Sequence, residues 1–222
     1  VTITSDLKWS KHIDSICSLA RQKLGVLRRR LKNANTDLKL IAYKTTIRPT
    51  LEYAGIIWDP FTKKDIEKIE NIQKLALRFV YNQYGRSIST TELLHKANLP
   101  LLHQRRRQAS LRFMYSLYYN KLGISQSNYI SQLSSRTSRH THAHALTPIF
   151  ARTNRFKYSF FPKTIEEWNR LPSEAFDSDH AFSGVIERLC RFYMNVANAH
   201  CGMLAIVYTL LLGPLGPAVL LK

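Results

Sequence analysis

Acidic side chains are scarce in this chain: 15 Asp and Glu stand against 33 Lys and Arg, a formal charge of +18 over 222 residues. No two aspartates are adjacent, and the nearest carboxylate cluster is Asp177-Ser178-Asp179, which reads as helix capping rather than metal binding. Cysteine is equally thin. Cys17, Cys190 and Cys201 are widely spaced and never form a Cys-x-x-Cys pair. That argues against a disulfide framework and for a reducing compartment. The N-terminus lacks the basic-then-apolar pattern of a signal peptide. It also lacks an initiator Met, and Val1-Thr2-Ile3-Thr4 reads as a strand without a partner nearby, so the chain is expected to begin inside a fold.

What is present is a basic chain with an ordinary apolar fraction, 45%, enough for one domain or two small ones with a real core. The charge is uneven. Residues 1–160 hold 28 basic and 9 acidic side chains, whereas 161–222 hold 5 and 6. A cationic body of this kind attracts polyanions, of which nucleic acid is the commonest. A solubilising basic surface is the plainer alternative.

Helical periodicity dominates the first half. Ile13, Ile16, Ala20, Leu24, Leu27 and Leu31 fall within a narrow arc and predict an amphipathic helix from about Trp9 to Leu31. A second helix after Thr36 carries Leu38, Ile41, Ala42 and Thr45 and breaks at Pro49, which can open a new segment through Ile57. Residues 63–81 read as a third helix, with Ile66, Ile69, Ile72, Ala76 and Phe79 on one face. A short helix ends near Asn98, and another runs to about Asn120 with Leu102, Ala109, Phe113 and Leu117 inward. The fold expected is mainly α. Residues 1–8 are a remnant strand, 9–120 a helical bundle, and 121–149 a basic Ser/Thr/His-rich loop, mobile or a linker. Residues 150–192 form a small α+β segment, and 193–222 a hydrophobic tail. The alternation in Arg155-Phe156-Lys157-Tyr158-Ser159-Phe160 supplies the strand. A Pro162-initiated helix follows, with Glu166 and Glu167 near its start, and the last helix runs from about Asp179 to Tyr193.

Met203–Leu221 is 19 residues without a charge. That is close to the span of about 20 apolar residues a bilayer needs, although Gly213-Pro214-Leu215-Gly216-Pro217 would break a helix there. A tail anchor, a buried C-terminus and translated sequence outside the original gene remain open.

The candidate binding residues are two arginine triplets on helices, Arg28-Arg29-Arg30 and Arg105-Arg106-Arg107, with Arg21 and Lys32 beside the first. Three consecutive helical residues span about 200° of circumference, so some of each triplet must face outward, where phosphates could be met. A solvated helix face is the alternative. His140, His142 and His144 alternate and would share one face of a strand, yet no fourth metal ligand lies nearby, and a solvated loop is the stronger reading. Arg48 and Glu52 suit an internal i,i+4 salt bridge. Trp58 and Trp168 suit core anchors, with base stacking as the alternative.

Two stretches are too irregular for periodicity to explain: Arg48-Pro49-Thr50-Leu51-Glu52-Tyr53-Ala54-Gly55-Ile56-Ile57-Trp58-Asp59-Pro60, and Ser159-Phe160-Phe161-Pro162-Lys163-Thr164-Ile165-Glu166-Glu167-Trp168-Asn169-Arg170-Leu171-Pro172. Together they resemble the region after the catalytic palm in reverse transcriptases of non-LTR (LINE-like) retrotransposons. Leu7-Lys8-Trp9-Ser10-Lys11-His12-Ile13, Leu24-Gly25-Val26-Leu27-Arg28-Arg29 and Leu102-His103-Gln104-Arg105-Arg106 extend the resemblance over about residues 1–192. It implies a thumb-like bundle that grips RNA template and DNA primer or target through phosphates. The intact relatives are RNA-directed DNA polymerases that use magnesium held by palm aspartates, usually in a Tyr-x-Asp-Asp motif. That motif is absent, so no catalytic residue, metal ligand or cofactor is assigned to this chain. Nor do Cys190, His200 and Cys201 match the zinc knuckle that some relatives carry. Two alternatives stay open: a non-enzymatic basic nucleic-acid-binding module, and a tail-anchored membrane protein whose basic bundle faces the cytosol.

Overall fold

Ile13, Cys17, Ala20 and Leu24 lie on one buried stripe of α1 (Ser10–Arg30), and Ile16, Leu27 and Leu31 pack at its edges. This is the arc the periodicity predicts. The computed structural model describes residues 1–85, 89–133 and 142–196. They are mainly helical, and no strand forms among them. Val1–Thr4 is not a strand. Thr2 N–H reaches His12 Nδ1 at 3.3 Å, and a turn from Thr4 to Leu7 leads into α1.

The Asn35 side chain caps α2 (Thr36–Ala42), which continues through a π-helical turn at Tyr43–Ile47 into α3 (Arg48–Glu52). Pro49 in the first turn of α3 can neither donate a backbone bond nor tolerate a close carbonyl four residues earlier, and the wider turn before it relieves both demands. The inward face differs from the expected one. Leu38 and Ile41 are 48% and 57% exposed, while Lys39, Tyr43 and Ile47 are buried. A lysine can take a core position because its stem is apolar. Lys39 lies over the Phe79 ring, and its ammonium donates to Asn82 Oδ1 at 3.2 Å.

After α4 (Gly55–Trp58), Thr62 caps α5 (Lys63–Val80) and Ser89 caps α6 (Thr90–Lys96). These helices close a first core around Ile13, Ile47, Trp58, Ile69, Ile72 and Leu77. The long helix α7 (Leu102–Tyr118) enters that core through Leu102, then leaves it. Its second half, Leu111, Met114, Tyr115 and Leu117, belongs to a second core built on Trp168, Phe176, Phe182 and Ile186. Because neighbours flank α7 on more than one side, its inner face is broader than a single stripe. Ala109 is exposed and Phe113 half-buried, whereas Arg106 and Ser110 are buried. The helix is therefore shared between the two cores.

The expected α+β segment is helical instead. Thr153 caps a single turn, α8 (Asn154–Lys157), and α9 (Phe160–Trp168) follows at once, with Pro162 inside its first turn. Alternation alone could not make 155–160 a strand, because no neighbouring strand offers hydrogen bonds. Glu166 and Glu167 consequently fall near the end of α9, not its start. The chain finishes its described course in α10 (Asp179–Val196).

Part of the expected Ser/Thr/His-rich loop is packed rather than solvated. Ile130, His142, Ala145 and Leu146 are buried, and Gln132 and Leu146 form an antiparallel bridge. Trp168 and Asn169 hold this segment down. Asn169 Oδ1 accepts from Leu146 N–H at 2.9 Å while its Nδ2 donates to the Leu146 carbonyl at 2.8 Å, as a strand partner would. Trp168 Nε1 donates to the His144 carbonyl at 2.9 Å, and His142 Nε2 donates to the Trp168 carbonyl at 3.0 Å. His142 and His144 are thus structural, and His140 lies outside the described residues. So do Cys201 and Met203–Leu221. Among the described residues no helix is long and apolar enough to cross a membrane.

Candidate nucleic-acid interface

The two arginine triplets end in different surroundings. Arg29 and Arg30 are exposed in the last turn of α1, as are Arg21 about two turns earlier and Lys32 just beyond the helix. None of the four has an ion-pair partner among the described residues. Arg28 is half-buried and lies across α5, its Nη2 donating to the Leu75 carbonyl at 3.3 Å. Arg78, one turn beyond Leu75 on α5, is half-buried and likewise has no ion pair among the described residues. Sequence reading passed it over. Its only signal is the i,i+3 relation to a residue that α1 touches.

Arg105, Arg106 and Arg107 each meet an acid. Arg105 grips Glu52 through two bonds, the outer one at 3.1 Å. Glu52 also keeps the expected Arg48 contact at 3.8 Å. Arg107 Nε donates to Glu167 Oε2 at 3.0 Å. Arg106 is the most deeply placed: its side chain is 1% exposed, and Nε donates to Asp59 Oδ1 at 2.7 Å. Asp59 accepts from Lys163 of α9 on its other oxygen. Arg106 thus cannot reach a phosphate, and Arg105 and Arg107 are held in structural ion pairs.

This arrangement explains both irregular stretches. The stem of Arg106 passes over Gly55, where a Cβ would stand 3.1 Å from its Cγ. The preceding Ala54 sits at φ 52°, a left-handed conformation that breaks the helix and turns Gly55 under the arginine. The guanidinium carbon lies 5.7 Å from the centre of the fully buried Trp58 ring. Trp58 Nε1 in turn donates to the Tyr53 carbonyl at 2.8 Å. Glu52 and Asp59 from the first stretch, and Lys163 and Glu167 from the second, converge on one turn of α7. Both tryptophans are core anchors, at 0% exposure.

An open groove of about 840 Å³ lies beside this joint, between Leu7–Ser10, Asp59–Thr62 and Thr153–Thr164. Phe61 and Tyr158 stack across it with centroids 4.8 Å apart and planes 8° from parallel. Among the described residues no group of three His, Cys, Asp or Glu side chains is placed to hold a metal ion. Asp179, read as a cap, pairs with Lys121 and Tyr115 at 2.6 Å each, while Ser178 caps α10.

Comparison of the chain with protein families, with curated proteins and with solved structures finds no match.

Proposed function

We propose that this chain is the thumb and C-terminal portion of a non-LTR retrotransposon reverse transcriptase, and that it grips nucleic acid through backbone phosphates. The observation that carries the binding reading is the set of exposed cations on and just after α1, Arg21, Arg29, Arg30 and Lys32, which no acid neutralises among the described residues. Supporting the family reading, the two irregular stretches that carry the resemblance meet at one ion-paired joint on α7. In this reading the helices around the first core are the thumb-like bundle. The polymerase chemistry belongs to a palm outside this sequence, and the chain supplies grip without catalysis.

The test is salt-dependent binding to an RNA–DNA hybrid duplex of arbitrary sequence. Replacing Arg21, Arg29, Arg30 and Lys32 by Gln should weaken every sequence alike. It should also flatten the log–log salt slope by about 3 to 4, since each lost phosphate contact removes about 0.9. Helicity should persist, because Gln is a comparable helix former. A salt-independent affinity, or one these four changes leave intact, would reduce the α1 face to solvated surface. Nucleotide incorporation on a primed RNA template with magnesium, abolished by a chelator, would refute the assignment of catalysis to a missing palm.

A further inference from the structure

The groove beside the joint has a chemistry different from the α1 face. Aromatic rings stand exposed along it: Phe61 at 43%, Phe156 at 47% and Tyr158 at 39%. Burying such rings normally stabilises a fold by more than leaving them wet, so a cluster of three at one opening invites a flat apolar ligand. The acids in the groove are already neutralised. Asp59 lies between Arg106 and Lys163, and Asp65 pairs with Lys68 at 3.8 Å while accepting from the hydroxyls of Ser10 at 3.0 Å and Thr62 at 2.8 Å. Exposed Arg155 lines the groove, and exposed Lys157 lies within 5.9 Å of the Tyr158 ring. Neither has an ion pair among the described residues. The local charge offered to a ligand is therefore positive.

We infer that this groove binds single-stranded nucleic acid, with bases stacking on the Phe61, Phe156 and Tyr158 rings and Arg155 and Lys157 meeting the phosphates. Rings take any base because every base has a π face, and cations spaced between rings follow the backbone that links the bases. A duplex, whose bases are already stacked on each other, gains nothing from these rings. This inference rests on the nucleic-acid reading above but names a separate surface and a separate strand state. The pairing of Phe61 with Tyr158 ties the loop after α4 to the turn after α8, so the platform exists only once both irregular stretches have docked.

The experiment uses the full chain, a fluorescein-labelled oligothymidylate of about ten nucleotides, and a hybrid duplex. Phe61→Ala and Tyr158→Ala should each weaken oligothymidylate binding about tenfold, as loss of one stacked base would. Duplex affinity should stay within twofold. Tyr158→Phe should retain single-strand affinity, because the ring and not the hydroxyl does the stacking. Thermal melts of the alanine variants should fall by no more than about 5 °C, the loss of one aromatic pair, and circular dichroism at the assay temperature should match the parent, which separates lost binding from lost folding. If duplex binds normally and neither alanine change alters oligothymidylate binding, the groove inference fails while the α1 reading stands. If neither probe binds at all, both fail. Should an apolar peptide displace nothing but itself saturate the groove in a Phe61-dependent way, the occupant is protein and the inference is overturned.

Discussion

Arg28-Arg29-Arg30 and Arg105-Arg106-Arg107 are the same three letters on two helices of similar length, and nothing in either triplet itself says which is surface. The first lies at the C-terminal end of α1, where cations favour the helix dipole and where exposed Lys32 and Asn33 follow the last core contact, Leu31. The second lies near the start of α7, where the two cores meet and four carboxyl or ammonium groups from distant segments arrive. An arginine on a helix is therefore no indication of a phosphate site until its acids are counted in space. What separates the triplets is not their own residues but Glu52, Asp59 and Glu167, none of which is within reach along the helix.

The comparison breaks most visibly at Arg106. Arg106→Ala should lower unfolding free energy by about 3–5 kcal/mol, because it leaves Asp59 short of a partner in a poorly solvated position and empties the space over Trp58. Urea unfolding measures it, and a loss under 1 kcal/mol would show that Lys163 alone suffices. Arg105→Gln and Arg107→Gln should cost about 1 kcal/mol each, since both pairs are partly exposed and Glu52 keeps Arg48. Arg29→Gln and Arg30→Gln should leave stability within about 0.5 kcal/mol while changing the salt slope of binding. That crossing of effects is the sharpest form of the contrast.

A pH series tests the packing of the second region. Burial holds the His142 imidazole below its ordinary value of 6.5, and the neighbouring His144 adds to this. The unfolded chain thus takes up the proton first, so stability should fall as pH drops below 6.5, by at most about 1.4 kcal/mol per pH unit for this group. His142→Gln should flatten that dependence. His12, also held low by burial, should leave a residual slope. A stability independent of pH between 7 and 5 would mean that His142 is not buried neutral.

The sequence determined the helices. The 3.6-residue spacing placed α1 and α5 within about a residue of where they lie, because that signal acts within a turn or two. It also marked the two irregular stretches and the tryptophans within them. It misassigned the inner faces of α2 and α7, because a π turn and a helix with neighbours on several sides both depart from a single stripe. It read a strand into residues 155–160 that has no partner, and a loose loop where Trp168 and Asn169 clamp Leu146 and His144. Of the candidate interface, the α1 cations were legible, whereas the fate of Arg105–Arg107 and the Phe61–Tyr158 platform were not. Those depend on partners 47 to 104 positions away. Whether a charge faces water or a buried acid is decided by desolvation and by which groups the folded chain brings within about 4 Å, and only the tertiary structure sets that.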